Sequence, residues 1–516
     1  MEEIQFGKDE INTLILTYDP LNKSHMISGF GGQIWMDDSR AVRIATDQGW
    51  SMVRMSIEDK KPDGKKVKLS KSRNSRAEYD AYWSQFNTET MKNLHNTLTS
   101  MGITPIYVQF GIDPVWLENQ KFINSYVNEL AEYWGSHVVW MKKNGVTPEY
   151  IELFNEPDGD WNGYVAASDY NSIVESVRRI LDERGCSATR IVGPGRAHID
   201  VGASDQWVDA LSSDGITAID AWSIHGYEWG QSSGDINNPQ YVRDNWQGFL
   251  NSVKAKDPSH SKPIFLTEYA TKCTTFHNQT YADEKGNADN FASNTQYYGV
   301  RVFENALSFI NMGANGIIVW QACDQSWNPE QFWGMEKLDT TKRPVYYALK
   351  TLSTVVPPGA FVLKSPPFAQ NEIYAAAFTT DDRFIIAFAN GTAEERAVTV
   401  NVNNANISFL KAEAMVNGAI KSKSMTVENN SFPVCLPRDS TLVVTLALSQ
   451  YIDRRGLRLT QRQSPTEGER QVTPDSYAGK PSCRTGSFMP GNSSRALAPL
   501  LQRCLPYDQF TFLHIH

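Results

Sequence analysis

Two glutamates sit in settings suited to proton transfer and nucleophilic attack. Glu156 ends the stretch Glu149-Tyr-Ile-Glu-Leu-Phe-Asn-Glu156-Pro157, and Glu268 ends Pro263-Ile-Phe-Leu-Thr-Glu268. In the first, Ile151 to Phe154 reads as a short run buried on both faces. Pro157 cannot continue a ladder, so Glu156 belongs at a strand's C-terminal end. The two carboxyls are separated by enough chain for about three βα units. Carboxyls meeting at one barrel mouth can divide the chemistry, one donating a proton and one attacking, if their proton affinities are pushed apart. Arg54 offers a means. It interrupts the apolar strand Trp50-Ser-Met-Val-Arg-Met-Ser-Ile57, and a buried guanidinium needs a carboxylate. At the mouth it would favour the charged form of Glu268 and leave Glu156 to carry the proton. Asn155 is placed to bind a substrate hydroxyl, Tyr227 to donate to Glu268, and His225 to line the same rim.

Aromatic residues are abundant, with 14 Trp, 21 Tyr and 23 Phe. Flat apolar rings suit the apolar faces of pyranoses, although most must serve as core. Trp35, Trp116 and Trp320, with Asp113, fall where a barrel would expose them near its mouth, and they are expected to bind substrate. Asp158 and Trp161, just past Glu156, suit a loop and cleft role.

The elements that position these residues alternate between strand and helix. Met26-Ile-Ser-Gly-Phe-Gly-Gly-Gln-Ile-Trp35 reads as a glycine-rich first barrel strand, and a polar helix follows over 38–47. After the Arg54 strand, residues 58–80 read as a solvated loop. A helix near 85–101 then leads to the strand Thr104–Phe110, and 121–144 reads as helical. After Glu156, Ser168 is expected to cap a helix whose Ile173, Val177, Ile180 and Leu181 share one face. Gly185 ends it, and Arg190 opens a parallel strand, so the unit is a βαβ crossover. Strands at 219–227 and 263–269, a helix near 291–312 and the strand Gly316–Ala322 bring the count to eight. The fold class is therefore α/β: a (β/α)8 barrel over 26–356. Alternating runs after Pro357-Pro358 predict a smaller antiparallel β-sandwich over 357–449, joined by a strand from residues 1–25. From residue 450 periodicity vanishes, and 450–516 reads as a disordered or non-native tail.

Composition is that of a globular protein, with 41% hydrophobic and 21% charged residues over 516 positions. The net charge of −9 argues against a nucleic-acid partner. No apolar run has the length of a membrane span. The six cysteines form no CxxC pair, and no metal or cofactor motif appears. A pairing of Cys273 with Cys323 across the barrel mouth stays open. The first residues are acidic and lack a signal-peptide core.

At Asn155-Glu156-Pro157, Thr267-Glu268-Tyr269 and Arg54 the chain resembles clan A of the retaining glycoside hydrolases. Within the clan it is most similar to glycoside hydrolase family 30, through Ile27-Ser-Gly-Phe-Gly-Gly32, the early strand and the trailing sandwich after Tyr346-Tyr347-Ala348. It departs where the first strand continues as Gln33-Ile-Trp-Met-Asp37. The resemblance implies a barrel enzyme that cleaves β-linked oligo- or polysaccharide by double displacement. Glu156 would be acid/base and Glu268 nucleophile, with no cofactor. It leaves the sugar open, and endo or exo attack would depend on residues 58–80 and 228–240. It implies a secreted or cell-envelope enzyme, or a cytoplasmic one if the N-terminus is native. A transglycosylase, or a non-catalytic carbohydrate-binding barrel, stands as the alternative.

Overall fold

The computed structural model describes residues 14–36, 38–56, 75–86, 88–197, 203–227, 239–277, 279–282, 290–326, 332–364 and 373–451. Expectations for Asp37, for most of the 58–80 and 228–240 segments and for the tail beyond 451 lie outside them.

Eight parallel strands close into a barrel: β1 (Gly29–Ile34), β2 (Met52–Ser56), β3 (Thr104–Val108), β4 (Tyr150–Glu152), β5 (Arg190–Arg196), β6 (Ala221–Gly226), β7 (Ile264–Tyr269) and β8 (Gly316–Val319). Side chains alternate across a strand, so every second residue points into the barrel. Met52, Ile106, Tyr150, Val192, Ala221, Phe265 and Ile318 form an apolar cluster of their own. Two residues further along their strands, Met52, Tyr150, Ala221 and Phe265 give way to Arg54, Glu152, Ser223 and Thr267, all fully buried. The interior is thus an apolar plug overlaid by a polar layer toward the C-terminal mouth. The opposite strand faces pack against helices such as Ala167–Glu183, whose Ile173, Val177, Ile180 and Leu181 are buried as the periodicity requires.

Two sheets make up the second region. One has seven strands, running from Lys23–Met26 at one edge through Phe361–Leu363 to Ala419–Ser422 at the other. The other has three: Leu14–Tyr18, Arg396–Val402 and Ser431–Leu436. Leu14–Tyr18 alternates buried and exposed residues and pairs in parallel with Arg396–Val402. A separate apolar cluster lies between these sheets. Among the described residues, no helix is long and apolar enough to cross a membrane.

Several local expectations need correction. Met26 belongs to the seven-stranded sheet, paired with Phe361, and the first barrel strand starts only at Gly29. The reason is proximity: the chain enters the barrel directly from the sandwich, so one apolar run serves both. Residues Arg76–Trp83 form a helix capped by Ser75 in the segment read as loop. Residues 117–126 form a short hairpin and a 3-10 turn rather than the start of a helix. Ser168 lies inside its helix, whose N-cap is Ala166 without a side-chain bond. Cys273 and Cys323 are both thiols, not joined to each other. The Cys323 thiol donates to Asp38 at 2.9 Å, and that of Cys273 faces the Thr275 carbonyl.

Candidate active site

The site is built from the ends of β1, β2, β4, β6 and β7. Arg54 is its hub. Fully buried, it donates from Nε to Glu152 at 2.6 Å, from Nη2 to Asn155 at 2.7 Å and from Nη1 to Gln33 at 3.3 Å. Nη1 also donates to the carboxylate of Glu268. Register explains the convergence, since Gln33 lies directly across from Arg54 on the neighbouring strand. On the other side a shift between Ile224 and His225 brings His225 opposite Glu268. The extra residue lies on β7, so without that irregularity Glu268, next after the inward-facing Thr267, would face outward.

Glu268 is 4% exposed. Its second oxygen accepts from the Tyr227 hydroxyl at 3.0 Å and faces His225 Nδ1 at 3.6 Å. Glu156 is reached differently. The ladder of β4 stops at Glu152, and Glu156 sits on the turn beyond with φ +54°, its N–H bonded to the Gly195 carbonyl. A left-handed glutamate is costly and persists where surroundings over-determine it. Glu156 Oε1 meets His225 Nδ1 at 2.9 Å, and Oε2 accepts from the Trp161 indole N–H at 2.7 Å. One oxygen of each glutamate and a nitrogen of His225 lie within 4.8 Å of one another.

Burial pushes the Glu268 carboxyl above its ordinary value, although His225 and Arg54 pull against it. Arg54 favours the charged form, as expected, but burial outweighs it. Arg54 is divided between two buried carboxylates, so neither receives its whole charge. Burial would depress His225, yet Glu268 and Glu156 raise it. Tyr227 is pushed well up, first by burial and then by the two carboxylates, so it stays a phenol donor. In geometry alone the trio could hold a cation. Each of the four glutamate oxygens already has a partner in Arg54, Tyr227, His225 or Trp161, so the donor set suits proton transfer better than metal ligation.

In three dimensions this barrel is similar to several solved structures. A glycoside hydrolase family 30 subfamily 8 xylanase, Xyn30A, from Clostridium acetobutylicum matches with a TM-score of 0.59 at 15% identity, over 84% of this chain and 99% of that one. A family 30 endoxylanase from Clostridium papyrosolvens matches with 0.59 at 16%, over 83% and 99%. A family 39 enzyme from Xanthomonas axonopodis matches with 0.54 at 12%, over 84% and 97%. It is the fold of the family 30 glycoside hydrolases. At the level of sequence, no family model and no curated protein matches.

Within that family 30 fold, Glu156, Glu268, Asn155, Arg54, His225 and Tyr227 come together at the mouth. Of the predicted aromatics, Trp35 and Trp320 stand at the same mouth, just past the ends of β1 and β8, around Phe110, whose ring lies 5.1 Å from the Arg54 guanidinium, whereas Trp116 does not. Trp35 is buried at 7%, donates to Gln321 at 2.8 Å and packs on Phe110 and Trp320, so it closes the barrel end. Trp320 is half-buried in the same cluster. Trp116 is fully buried against Tyr133, a core residue rather than a sugar contact. Asp113 caps the turn Pro114–Trp116 by accepting from Val115 N. Asp158 pairs with Arg196 and accepts from Ala197 N, stiffening the turn that carries Glu156. Trp161, 57% exposed, reaches Glu156 through its indole N–H. Glu152 and Gln33 were missed, although a charge inside an apolar strand, the signal that singled out Arg54, was equally present at Glu152.

Proposed function

We propose that this protein is a retaining β-glycoside hydrolase. The observation that carries the reading is the approach of Glu156 and Glu268, with oxygens inside a 4.8 Å cluster at the C-terminal mouth of the barrel. Retaining hydrolysis needs carboxyls about 5–5.5 Å apart, whereas inversion needs room for an intervening water. Glu268, fixed by Arg54 and Tyr227, attacks the anomeric carbon as Glu156 gives its proton to the departing glycosidic oxygen. The result is an α-linked glycosyl ester on Glu268. Glu156, now ionised, takes a proton from water, and the oxygen of that water displaces Glu268 to restore the β anomer. Asn155, oriented by Arg54, offers its amide to the sugar's 2-hydroxyl. Trp161 stands beside Glu156, so its exposed ring falls on the leaving-group side.

Two of the similar structures are described as xylanases, and β-linked xylan is accordingly the first substrate to try, with β-glucans and β-galactans beside it. The test is hydrolysis of β-linked oligosaccharides followed by proton NMR of the first product. A β anomer that mutarotates supports the reading; an initial α anomer would overturn retention. No product from any member of the panel would favour a binding-only barrel.

A further inference from the structure

Beneath the two mouth glutamates lies a third carboxyl that the reaction scheme does not use. Glu152 is fully buried on β4, facing the barrel axis. Its Oε2 receives Arg54 Nε at 2.6 Å, and its Oε1 receives the hydroxyls of Ser223 at 2.9 Å and Thr267 at 2.7 Å. One carboxyl therefore ties together β2, β6 and β7. The backbone makes room for it: a Cβ on Gly195 would lie 2.8 Å from Glu152 Oε1. A buried anion here is costly unless paired. If pinning Arg54 were the whole requirement, a neutral acceptor such as a glutamine would serve at less desolvation cost.

The charge itself has a consequence at Glu268. Arg54 contacts Glu268 and Glu152 from adjacent nitrogens of one guanidinium. In a low-dielectric interior a carboxylate there cancels much of the field that Arg54 sends to its other partner. We propose that Glu152 is a positioning residue that, besides orienting Arg54, holds back its charge and thereby keeps Glu268 nucleophilic. A carboxylate given the full guanidinium charge would be a weaker base and a poorer nucleophile. The inference rests on the reading of Glu268 as nucleophile. The other groups facing Glu268 are His225 on β6, Tyr227 just beyond it and Glu156 after β4, with Tyr298 behind Tyr227. Facing Glu152 are Arg54, Ser223, Thr267 and, at longer range, the Tyr170 phenol.

The test compares Glu152→Gln with Glu152→Asp in the full chain. Carbon-13 NMR of labelled glutamate carboxyls follows Glu268, assigned by its loss in Glu268→Gln, and kcat/KM is profiled against pH on the substrate that the wild type cleaves. In Glu152→Gln the carboxyl of Glu268 is expected to titrate on the order of one pH unit lower. The acidic limb of kcat/KM should move with it. Glu152→Asp keeps the charge and should stay near wild type in both, even if slower. Equal behaviour of the two variants, or an unmoved Glu268, would overturn the proposal. A moved Glu268 with an unmoved acidic limb would uphold the charge effect and reject Glu268 as nucleophile. If Glu152→Gln does not fold, Ser223→Ala carries the test. It removes one donor and leaves more of the Glu152 charge on Arg54, so Glu268 must titrate higher, and no change would overturn the proposal.

Discussion

The two sides of the site are built on opposite plans. Glu268 lies within a hydrogen-bonded strand, is buried, and is gripped by two rigid donors, Arg54 from β2 and Tyr227 from the end of β6. Glu156 lies four residues past the end of its strand, on a strained turn, and holds a Trp161 that is mostly in solvent. A nucleophile must meet a carbon along one line, and a strand end fixes that line. An acid/base must serve a departing sugar and then an arriving water, so a more open loop suits it. His225 bridges the two plans, with one nitrogen facing both carboxyls.

The comparison can be broken most sharply at the carboxyls. Glu268→Ala should lose on the order of 10⁴-fold or more in kcat on every substrate, because no bond forms without it. Glu156→Ala should lose about 10²–10⁴-fold on a natural sugar leaving group. On a dinitrophenyl glycoside, which departs without protonation, glycosylation should be nearly unaffected. Equal losses on both substrate types would remove the division of labour.

Arg54→Met tests what the rigid side costs to lose. It leaves Glu152 and Glu268 buried without a cation, which should destabilise the barrel by about 3–5 kcal/mol in urea unfolding. A loss under 1 kcal/mol would mean the carboxyls are solvated or neutral without it. The donors sharpen the contrast further. Tyr227→Phe removes a bond to a buried carboxylate and should slow turnover about 10–100-fold, whereas Trp161→Phe, at an exposed partner, should cost roughly threefold to tenfold. The reverse order would assign the rigid role to the Glu156 side.

The sign of the pH dependence follows from burial. Glu268 must be ionised to attack, and its carboxyl lies above the ordinary value. Activity should therefore fall as pH drops through a point above the usual glutamate range, in a kcat/KM profile. A limb below that range would show that Arg54 outweighs burial.

Much of this was legible in the chain because the barrel repeats one pattern eight times. Buried strands, crossover helices with one apolar face and prolines after strand ends each point to the same architecture. Arg54, Glu156 and Glu268 stood out as charges at the edges or centres of apolar runs. Glu152 was hidden by the same habit of reading. Ile151 to Phe154 looks like continuous core, and alternation into a polar interior layer shows only when eight strands are closed together. Trp116 failed for the converse reason, and Trp35 is largely buried at the rim. An aromatic at a strand end packs the barrel rim as readily as it faces a ligand, and only burial distinguishes the two. The inward turn of Glu268 depends on a register shift in β7 that no sequence period announces.

The central claim, that Glu268 attacks and Glu156 protonates, is tested most directly by azide rescue of the two alanine variants on an activated β-glycoside. Azide entering the space left by Glu268→Ala should attack from the nucleophile's face and give an α-glycosyl azide. In Glu156→Ala it should attack the glycosyl ester and give the β-glycosyl azide. Exchange of the two products between the variants, or full hydrolysis surviving in Glu268→Ala without azide, would contradict the assignment.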